Sequence, residues 1–426
     1  MSNFSAEVYQ NEFLATGATD VDAIVTVTAQ GSDLPAATAA GAAEIVIIDT
    51  SGSMISPAAK LKAAKQATAA AIDAIRDGVL FGVVVGDEQA TAAYPTRGGL
   101  VAASAQTRAE AKAAVSDITP YGGTAIGTWL TLARELFEGT TVGIRHAILL
   151  TDGQNQHETR KHLDGVLAEC EGRFQCDCRG VGTDWDVAEL RKIATALLGS
   201  VDIIAEPEDM AADFRAMTER AMALDTAAVA LRLWTPRGSE VAFVKQVAPA
   251  IADLTDRATS VDALSADYPT GAWGDESRDY HVSIRVPARE PGDEVLAGRL
   301  SLVVDGQVVT QALIRAIWTE DAELSTRINP EIAHYTGQAE LADVIQEGLE
   351  ARRSGDDATA TFKLGRAVKL ATEGGNDGTL QLLQRVVEVD DPGTGTVRLK
   401  RHVEEVDEMS LDTRSTKTVR VHGSGP

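Results

Sequence analysis

The chain has few cysteines and a shortage of positive charge, and each shortage excludes a class of protein. Three of its 426 residues are cysteines, Cys170, Cys176 and Cys178, and an odd number argues against a disulfide framework. The 39 lysines and arginines are outnumbered by 63 aspartates and glutamates, which gives a net charge of −24. Such a surface repels nucleic acid and anionic membranes and offers no large basic binding face.

Long apolar runs are also missing. No run approaches the roughly 20 residues that a membrane helix needs, so we expect no membrane insertion. The first residues, MSNFSAE, have neither the basic start nor the apolar core of a signal peptide. We therefore expect a cytoplasmic protein, and its alanine-rich helices and frequent arginines favour a bacterial source.

The two cysteines at positions 176 and 178 alternate along a predicted strand, so their side chains share one face. A zinc site that includes His157 or His162 is conceivable, but a C-x-C pattern alone supports it poorly. We interpret the cysteines as small buried thiols in a reducing compartment.

Two or three domains are expected from the length, and 44% hydrophobic residues are ample for packed cores. Between residues 42 and about 224, predicted strands and helices alternate, which implies a parallel sheet with helices on both faces. The strand candidates are residues 44–48, 79–85, 89–94, 144–150, 174–181 and 201–205. Because residues 89–94 follow the second strand after a short turn, they should form an antiparallel partner for it.

The following residues, to about 320, contain short strand-like runs separated by turn signals such as Pro269-Thr270-Gly271, which suggests an antiparallel sandwich. The N-terminal residues 6–13 and 23–28 have the same character. We therefore expect the α/β domain to be an insertion in a discontinuous β-sandwich, followed by a small α-helical region. The predicted domains are residues 1–40 (N-terminal strands of the sandwich), 41–225 (the α/β domain), 226–320 (the sandwich), 321–389 (the helical region) and 390–426 (a flexible tail).

Hydroxyl residues mixed with arginine and lysine are a feature of the predicted tail. Thr413, Ser415, Thr416 and Thr418 resemble kinase substrates that a forkhead-associated domain could read after phosphorylation. A plain solvated terminus is the alternative interpretation.

The most informative motif is Asp49-Thr50-Ser51-Gly52-Ser53, which follows the apolar run at 44–48. Two later motifs have the same polar character: Gly122-Gly123-Thr124 between two helical segments, and Thr151-Asp152-Gly153 after the strand at 144–150. Carboxylate and hydroxyl oxygens suit Mg²⁺ or Mn²⁺ better than Zn²⁺. Helix caps and turns also favour these residues, but that alternative does not explain why all three loops would fall on one edge of a sheet.

Together the three motifs resemble the metal-ion-dependent adhesion site of von Willebrand factor type A domains. The pattern of that family is D-x-S-x-S, then a distant threonine and a distant aspartate, and Asp49, Ser51, Ser53, Thr124 and Asp152 fill its five positions. The resemblance covers residues 42–224 and implies a doubly wound, Rossmann-like sheet with one antiparallel edge strand. It also implies that the two serines bind Mg²⁺ directly, the threonine directly or through water, and the two aspartates mainly through water.

The function expected from this resemblance is metal-dependent binding of an acidic residue on a partner protein. We expect no enzymatic activity, because the chain has no G-x-x-x-x-G-K-[ST] loop and no local Ser-His-Asp grouping, and we interpret His146 and His157 as packing or capping residues. Two alternatives stay open: a phosphorylated adaptor in a Ser/Thr kinase and forkhead-associated pathway, or a substrate-recruiting partner of an AAA+ ATPase.

Overall fold

The structure, a computed structural model, describes residues 3–31, 41–55 and 59–420. The described residues form two compact units. The first contains residues 41–55, 59–228 and 271–274, and the second contains residues 3–31, 229–270 and 275–420. The first unit therefore interrupts the second along the chain, as an inserted domain does. The domain boundary predicted at residue 40 adjoins positions outside the described residues.

Three strands of the second unit open the chain: β1 (Asn3–Gln10), β2 (Phe13–Ala15) and β3 (Asp20–Gln30). The first unit is then built on a seven-stranded sheet with the order β10-β9-β8-β4-β5-β6, in which β7 also pairs with β5. Its strands are β4 (Ala42–Asp49), β5 (Leu80–Gly86), β6 (Ala90–Tyr94), β7 (Val101–Ala102), β8 (Ile144–Thr151), β9 (Gln175–Val181) and β10 (Val201–Ile204). Five of them run parallel, whereas β6 and β7 are antiparallel to β5. The predicted doubly wound, mostly parallel sheet is confirmed.

Six α-helices flank this sheet: α1 (Ala59–Ala74), α2 (Ala105–Ser116), α3 (Ile126–Glu138), α4 (Arg160–Cys170), α5 (Val187–Ala196) and α6 (Met210–Ala223). The central strand β4 is buried over seven of its eight residues, which explains its continuous apolar sequence. Val46 and Ile48 of this strand share one core with Ala67 of α1 and Phe214 of α6. All three cysteines are buried free thiols.

The order of the strands places a crevice at one point of the sheet. The chain passes from β4 to β5 on one side and later returns to place β8 on the other side of β4. In open α/β sheets, ligands bind at the carboxyl ends of the strands where the direction of winding reverses. Here that point lies between the ends of β4 and β8, directly before Thr50 and Asp152.

The second unit contains two largely antiparallel sheets, with the orders β1-β3-β16-β12-β13 and β14-β15-β11-β17-β18-β2. The added strands are β11 (Thr226–Trp234), β12 (Glu240–Ala248), β13 (Ala252–Asp253), β14 (Thr259–Asp262), β15 (Ser265–Trp273), β16 (Glu276–Arg285), β17 (Glu294–Val304) and β18 (Gln307–Thr319). Strand β3 pairs with both β1 and β16, so the N-terminal strands do complete a later sheet.

One turn predicted in this part of the chain is wrong. Pro269, Thr270 and Gly271 lie inside strand β15, because Tyr268, Thr270 and Ala272 alternate as buried side chains. Period-two burial outweighs the turn preference of the proline and the glycine.

The C-terminal part begins with the expected helices: α7 (Ala322–Ser325), α8 (Pro330–Arg353), α9 (Asp357–Glu373) and α10 (Asp377–Val386). A hairpin of β19 (Val387–Asp391) and β20 (Thr396–Leu399) follows, and helix α11 (Glu405–Arg414) comes after it. The prediction of a flexible tail from residue 390 is therefore wrong as far as residue 420. The physical reason is packing: Val397 and Leu411 are buried in one cluster with Leu349 and Leu364. Residues 421–426 lie outside the described residues.

The predicted phosphorylation sites do not lie in a mobile segment either. Thr413 is 1% exposed and Ser415 is 3% exposed, and the Ser415 hydroxyl accepts a hydrogen bond from Gln346. Thr418 donates its hydroxyl hydrogen to the Val247 carbonyl at 2.6 Å. A kinase could reach Thr413 or Ser415 only after local unfolding. Within residues 3–31, 41–55 and 59–420, no helix combines the length and apolar character needed to cross a membrane.

Candidate metal centre

The first part of the candidate site is the loop that follows β4. Asp49 ends this strand and is fully buried, and its Oδ1 accepts a hydrogen bond from the backbone N–H of Ser51 at 2.8 Å. Thr50 donates both its N–H and its hydroxyl hydrogen to the carbonyl of Gly86 at the end of β5. These bonds hold the loop against the neighbouring strand, so Asp49 and Ser51 have fixed positions.

Ser53 links this loop to the end of β8. Its Oγ lies 2.8 Å from Ser51 Oγ, and it donates a hydrogen bond of 2.6 Å to Asp152 Oδ1. Asp152 is fully buried. Ser51 and Ser53 are therefore in direct contact, and Ser53 also contacts Asp152, which lies 99 residues further along the chain.

The remaining oxygens face the same small volume, beside Gly153. A β-carbon built on Gly153 would lie 3.2 Å from Ser53 Oγ, 3.4 Å from Thr124 Oγ1 and 4.0 Å from Asp49 Oδ2. Oxygens from two of the predicted loops thus lie beside Gly153 of the third loop, and Ser53 bonds directly to Asp152 of that third loop. The structure brings Asp49, Ser51, Ser53, Thr124 and Asp152 together.

The chemistry of these donors fits a hard divalent cation. Two carboxylates and three hydroxyls supply oxygen atoms alone, which suits Mg²⁺ or Mn²⁺. No group of three or more histidine, cysteine, aspartate and glutamate side chains in the described part of the chain is placed to hold a metal ion. A metal here would therefore depend on the hydroxyls as well as on the two carboxylates. Burial raises the pKa of Asp49 to about 6, and a bound cation would favour its ionised form.

Thr151, which the Thr151-Asp152-Gly153 motif includes without a predicted role, is also a part of this centre. Its hydroxyl donates a hydrogen bond of 2.5 Å to Asp49 Oδ2. Because Asp49 Oδ1 accepts from Ser51, the loop after β4 binds one oxygen of this carboxylate and the end of β8 binds the other. The position of Thr151 at the end of β8, next to the end of β4, was the signal that could have identified it.

His157 holds the loop that carries Thr124. Its Nδ1 accepts the backbone N–H of Thr124 at 3.1 Å, and its own backbone N–H donates to the Thr124 carbonyl at 3.0 Å. The imidazole lies so close to Gly123 that any β-carbon at that position would clash with the ring. The interpretation of His157 as a packing residue therefore understated its part, since it positions a candidate ligand.

A solved structure matches this chain over nearly its whole length. It is a von Willebrand factor type A protein from Catenulispora acidiphila, 49% identical, and the match covers 99% of this chain and 98% of that chain with a TM-score of 0.94. The chain belongs to the von Willebrand factor type A family. Domains of this family generally mediate interactions between proteins, and most are not enzymes.

Two family models match parts of the chain. The von Willebrand factor type A domain matches residues 43–203, and the von Willebrand factor type A C-terminal domain matches residues 369–415. The second match covers the hairpin and α11, in agreement with a folded C-terminal region rather than a flexible one.

Two further matches are more distant. The uncharacterized protein sll0103 from Synechocystis is 28% identical over 217 residues, which is 49% of this chain and about half the length of that protein. The structure of the ArnB paralog VWA2 from Sulfolobus acidocaldarius covers 99% of this chain and 100% of that chain at 16% identity, with a TM-score of 0.59. At this identity the likeness shows the fold alone.

Two further side chains of this type A domain fix the start of α3, directly after Thr124. The first residue of the helix, Ile126, donates its N–H to Asn155 Oδ1 at 3.0 Å, and Gly127 donates its N–H to Glu158 Oε1 at 2.7 Å. The helix has no side-chain cap of its own, so the loop after β8 supplies the acceptors that its first turn needs. The loops that carry Thr124 and Asp152 are therefore joined along their length.

Lys60 is the one cation that touches the predicted ligands among the ion pairs of the described residues. Its Nζ lies 3.0 Å from Asp152 Oδ2 and 3.5 Å from Asp184 Oδ2. The lysine is 8% exposed, whereas the Asp184 side chain is 73% exposed. Burial alone would lower the pKa of Lys60, but its two carboxylate partners raise it. Nothing in the sequence marked this lysine, because it lies within a helix that contains several others.

Proposed function

We propose that this type A domain binds an acidic residue of a partner protein through a metal-ion-dependent adhesion site occupied by Mg²⁺ or Mn²⁺. Its ligands would be Asp49, Ser51, Ser53, Thr124 and Asp152. The observation that supports this most strongly is the approach of oxygens from the loops of Asp49 and Thr124 to Gly153 in the third loop, together with the hydrogen bond from Ser53 to Asp152. When bound, Mg²⁺ supplies a positive centre with a coordination position that a carboxylate can take.

The residues around this point supply the rest of the function. The three hydroxyls are neutral, so they leave more positive charge on a bound cation than carboxylates would. Hydrogen bonds from Ser51 and Thr151 fix the orientation of the Asp49 carboxylate. A rigid, preformed site of this kind loses little conformational freedom when a ligand binds.

Two large apolar side chains are exposed on the same loops. Tyr121, which is 80% exposed, precedes Gly122 and Thr124, and its backbone N–H donates to the Thr50 carbonyl at 2.7 Å. Ile55, which is 56% exposed, ends the short helical turn that contains Ser53. Exposed aromatic and aliphatic side chains are common where proteins bind one another. They support a protein partner that presents apolar residues near its carboxylate.

The proposal is tested by capturing partners from native lysate with the full chain in Mg²⁺, in EDTA, and with Thr124→Ala in Mg²⁺. The matched control is Thr131→Ala, which removes a hydroxyl bonded only within helix α3 to the Gly127 carbonyl. We expect a partner that is captured by wild type and by Thr131→Ala, and lost in EDTA and with Thr124→Ala. A partner retained under all four conditions contradicts metal-dependent binding.

The two alternative functions gain no specific support from the described residues. The burial of Thr413 and Ser415 removes the mobile segment on which the phosphorylated adaptor was based. The AAA+ partnership and the cytoplasmic location remain predictions.

A further inference from the structure

Lys60 gives the candidate metal centre a positive charge of its own. Its ammonium group bonds to Oδ2 of Asp152, while Oδ1 of the same carboxylate accepts from Ser53. Both oxygens of Asp152 are therefore engaged, one by a hydroxyl of the site and one by a fixed cation. The aliphatic part of the lysine lies against Gly182, with the Cε atom 3.7 Å from the β-carbon position of that glycine.

The charge on the ligands follows from this pairing. Asp49 and Asp152 together carry two negative charges when ionised, and Lys60 offsets one of them. Asp184 adds a more exposed carboxylate 3.5 Å from the lysine. Whether or not that carboxylate is counted, Lys60 makes the net charge of the occupied site more positive by one than it would be without the lysine. Like charges repel most strongly where water is excluded, and Lys60 is buried beside a buried carboxylate.

We propose that Lys60 is a specificity-determining residue of this site, which weakens cation binding in proportion to the charge of the cation and keeps the loaded site attractive to an anionic ligand. This inference rests on the proposed function, since it assumes that the five oxygen ligands bind a cation. The role assigned to Lys60 is electrostatic and does not require contact between its ammonium group and the metal.

The first test is Mn²⁺ binding to the full chain, measured by electron paramagnetic resonance, for wild type and for Lys60→Met. We expect the variant to bind Mn²⁺ about tenfold more tightly, because a fixed like charge has been removed. The matched control is Lys62→Met, which removes an exposed lysine two residues along the same helix and should leave the affinity unchanged. Unchanged or weaker binding by Lys60→Met overturns the proposal.

A trivalent probe separates electrostatics from a structural effect. The repulsion scales with ionic charge, so a tenfold gain for Mn²⁺ corresponds to about a thirtyfold gain for Tb³⁺ in the same variant. Equal gains for the two ions would mean that the substitution acts by reshaping the site, which contradicts the proposal. Lys60→Gln provides a second neutral variant if Lys60→Met melts at a much lower temperature, and Lys60→Arg should restore the wild-type affinities for both ions.

Failure of this inference can be told apart from failure of the proposed function. Wild-type protein and Lys60→Met that both fail to bind Mn²⁺ would overturn the metal site itself. Wild-type protein that binds Mn²⁺, with no gain in either neutral variant, would overturn only the part assigned to Lys60.

Discussion

Ser53 and Asp152 are 99 residues apart in the chain, yet the hydroxyl of one donates a 2.6 Å hydrogen bond to the carboxylate of the other. The bond joins the loop after β4 to the loop after β8, across the point where the winding of the sheet reverses. Thr124 approaches the same point from a third loop. The geometry follows from the parallel sheet, because the carboxyl ends of its neighbouring strands lie on one edge.

Gly153→Ala should disturb the candidate metal ligands that adjoin this glycine. The new methyl group would be 3.2 Å from Ser53 Oγ and 3.4 Å from Thr124 Oγ1, so it would crowd the hydroxyls of two candidate ligands. We expect Mn²⁺ affinity to fall by about tenfold or more, which corresponds to at least about 1.4 kcal/mol. Isothermal titration calorimetry measures the change.

The control for this substitution is Gly165→Ala, at an exposed position in helix α4 where an added methyl group meets no heavy atom within 4 Å. It should bind Mn²⁺ as wild type does and be slightly more stable, since alanine favours a helix over glycine. Equal Mn²⁺ affinities of the two alanine variants would contradict the assignment of Ser53 and Thr124 as metal ligands.

His157→Ala should weaken metal binding without removing a ligand. The substitution leaves the Thr124 N–H without its Nδ1 acceptor, so the loop that carries the Thr124 hydroxyl loses a fixed position. Loss of a residue that orients a metal ligand typically costs about tenfold or more in affinity. The measurement is the Mn²⁺ dissociation constant, with His402→Ala as the control because that imidazole is 87% exposed. Identical constants for the two variants would show that His157 does not position the site.

His146 should make the stability of the type A domain depend on pH. Its Nδ1 lies 2.9 Å from Glu44 Oε1, and its Nε2 lies 3.3 Å from Asp177 Oδ2. Burial alone would lower the pKa of His146, but these two carboxylates raise it from 6.5 to about 10. Because the folded pKa is above the unfolded one, the stabilisation is complete below about pH 6.5 and is lost as pH rises towards 10.

The test is the melting temperature of wild type and His146→Gln between about pH 6 and pH 9.5. Wild type should melt at a higher temperature than the variant at pH 6, by an amount that corresponds to a few kcal/mol, and the difference should shrink as pH rises. His402→Gln, at an 87% exposed side chain, is the control and should show no such difference. A difference between wild type and His146→Gln that stays constant with pH would mean that the imidazole is neutral in the folded domain.

Leu411→Ala should destabilise the second unit. The leucine is fully buried in a cluster with residues of α8, α9 and α10, so the substitution leaves a cavity. The expected loss is about 2–5 kcal/mol in the free energy of unfolding. Chemical denaturation measures it, with Phe362→Ala as the control because that ring is 71% exposed. A Leu411→Ala variant as stable as wild type would contradict the packing of α11 and support a flexible C-terminal segment.

The sheet and the five ligand positions could be predicted from the sequence because each depends on a local pattern. The continuous apolar run of β4 indicates a strand that is buried on both faces. The residues that follow such a strand lie at the carboxyl edge of the sheet, whatever the sequence elsewhere in the chain. The short edge strand β6 could be predicted in the same way, from its distance to β5. Family resemblance then connected Asp49 with the distant Thr124 and Asp152.

Other features depend on contacts that no local pattern reports. Lys60 and His157 reach the site from positions 11 and 108 residues beyond Asp49, a lysine in a helix and a histidine in a loop, and such residues are usually solvated. The prediction of a flexible C-terminal segment was wrong because the composition of this segment is polar and rich in hydroxyls, and only a few of its residues pack in the core. Leu411 and Val397 are isolated apolar positions in the sequence, and their burial depends on helices α8 and α9.

The most direct test of the account is equilibrium binding of Mg²⁺ to the full chain, measured by calorimetry for wild type, Asp49→Asn and Thr124→Ala. We predict one site per chain in wild type, with binding lost or weakened by at least about tenfold in both variants while their melting temperatures stay close to wild type. Equal Mg²⁺ binding by all three folded proteins, or no binding by wild type, would contradict the metal centre on which the proposed function depends.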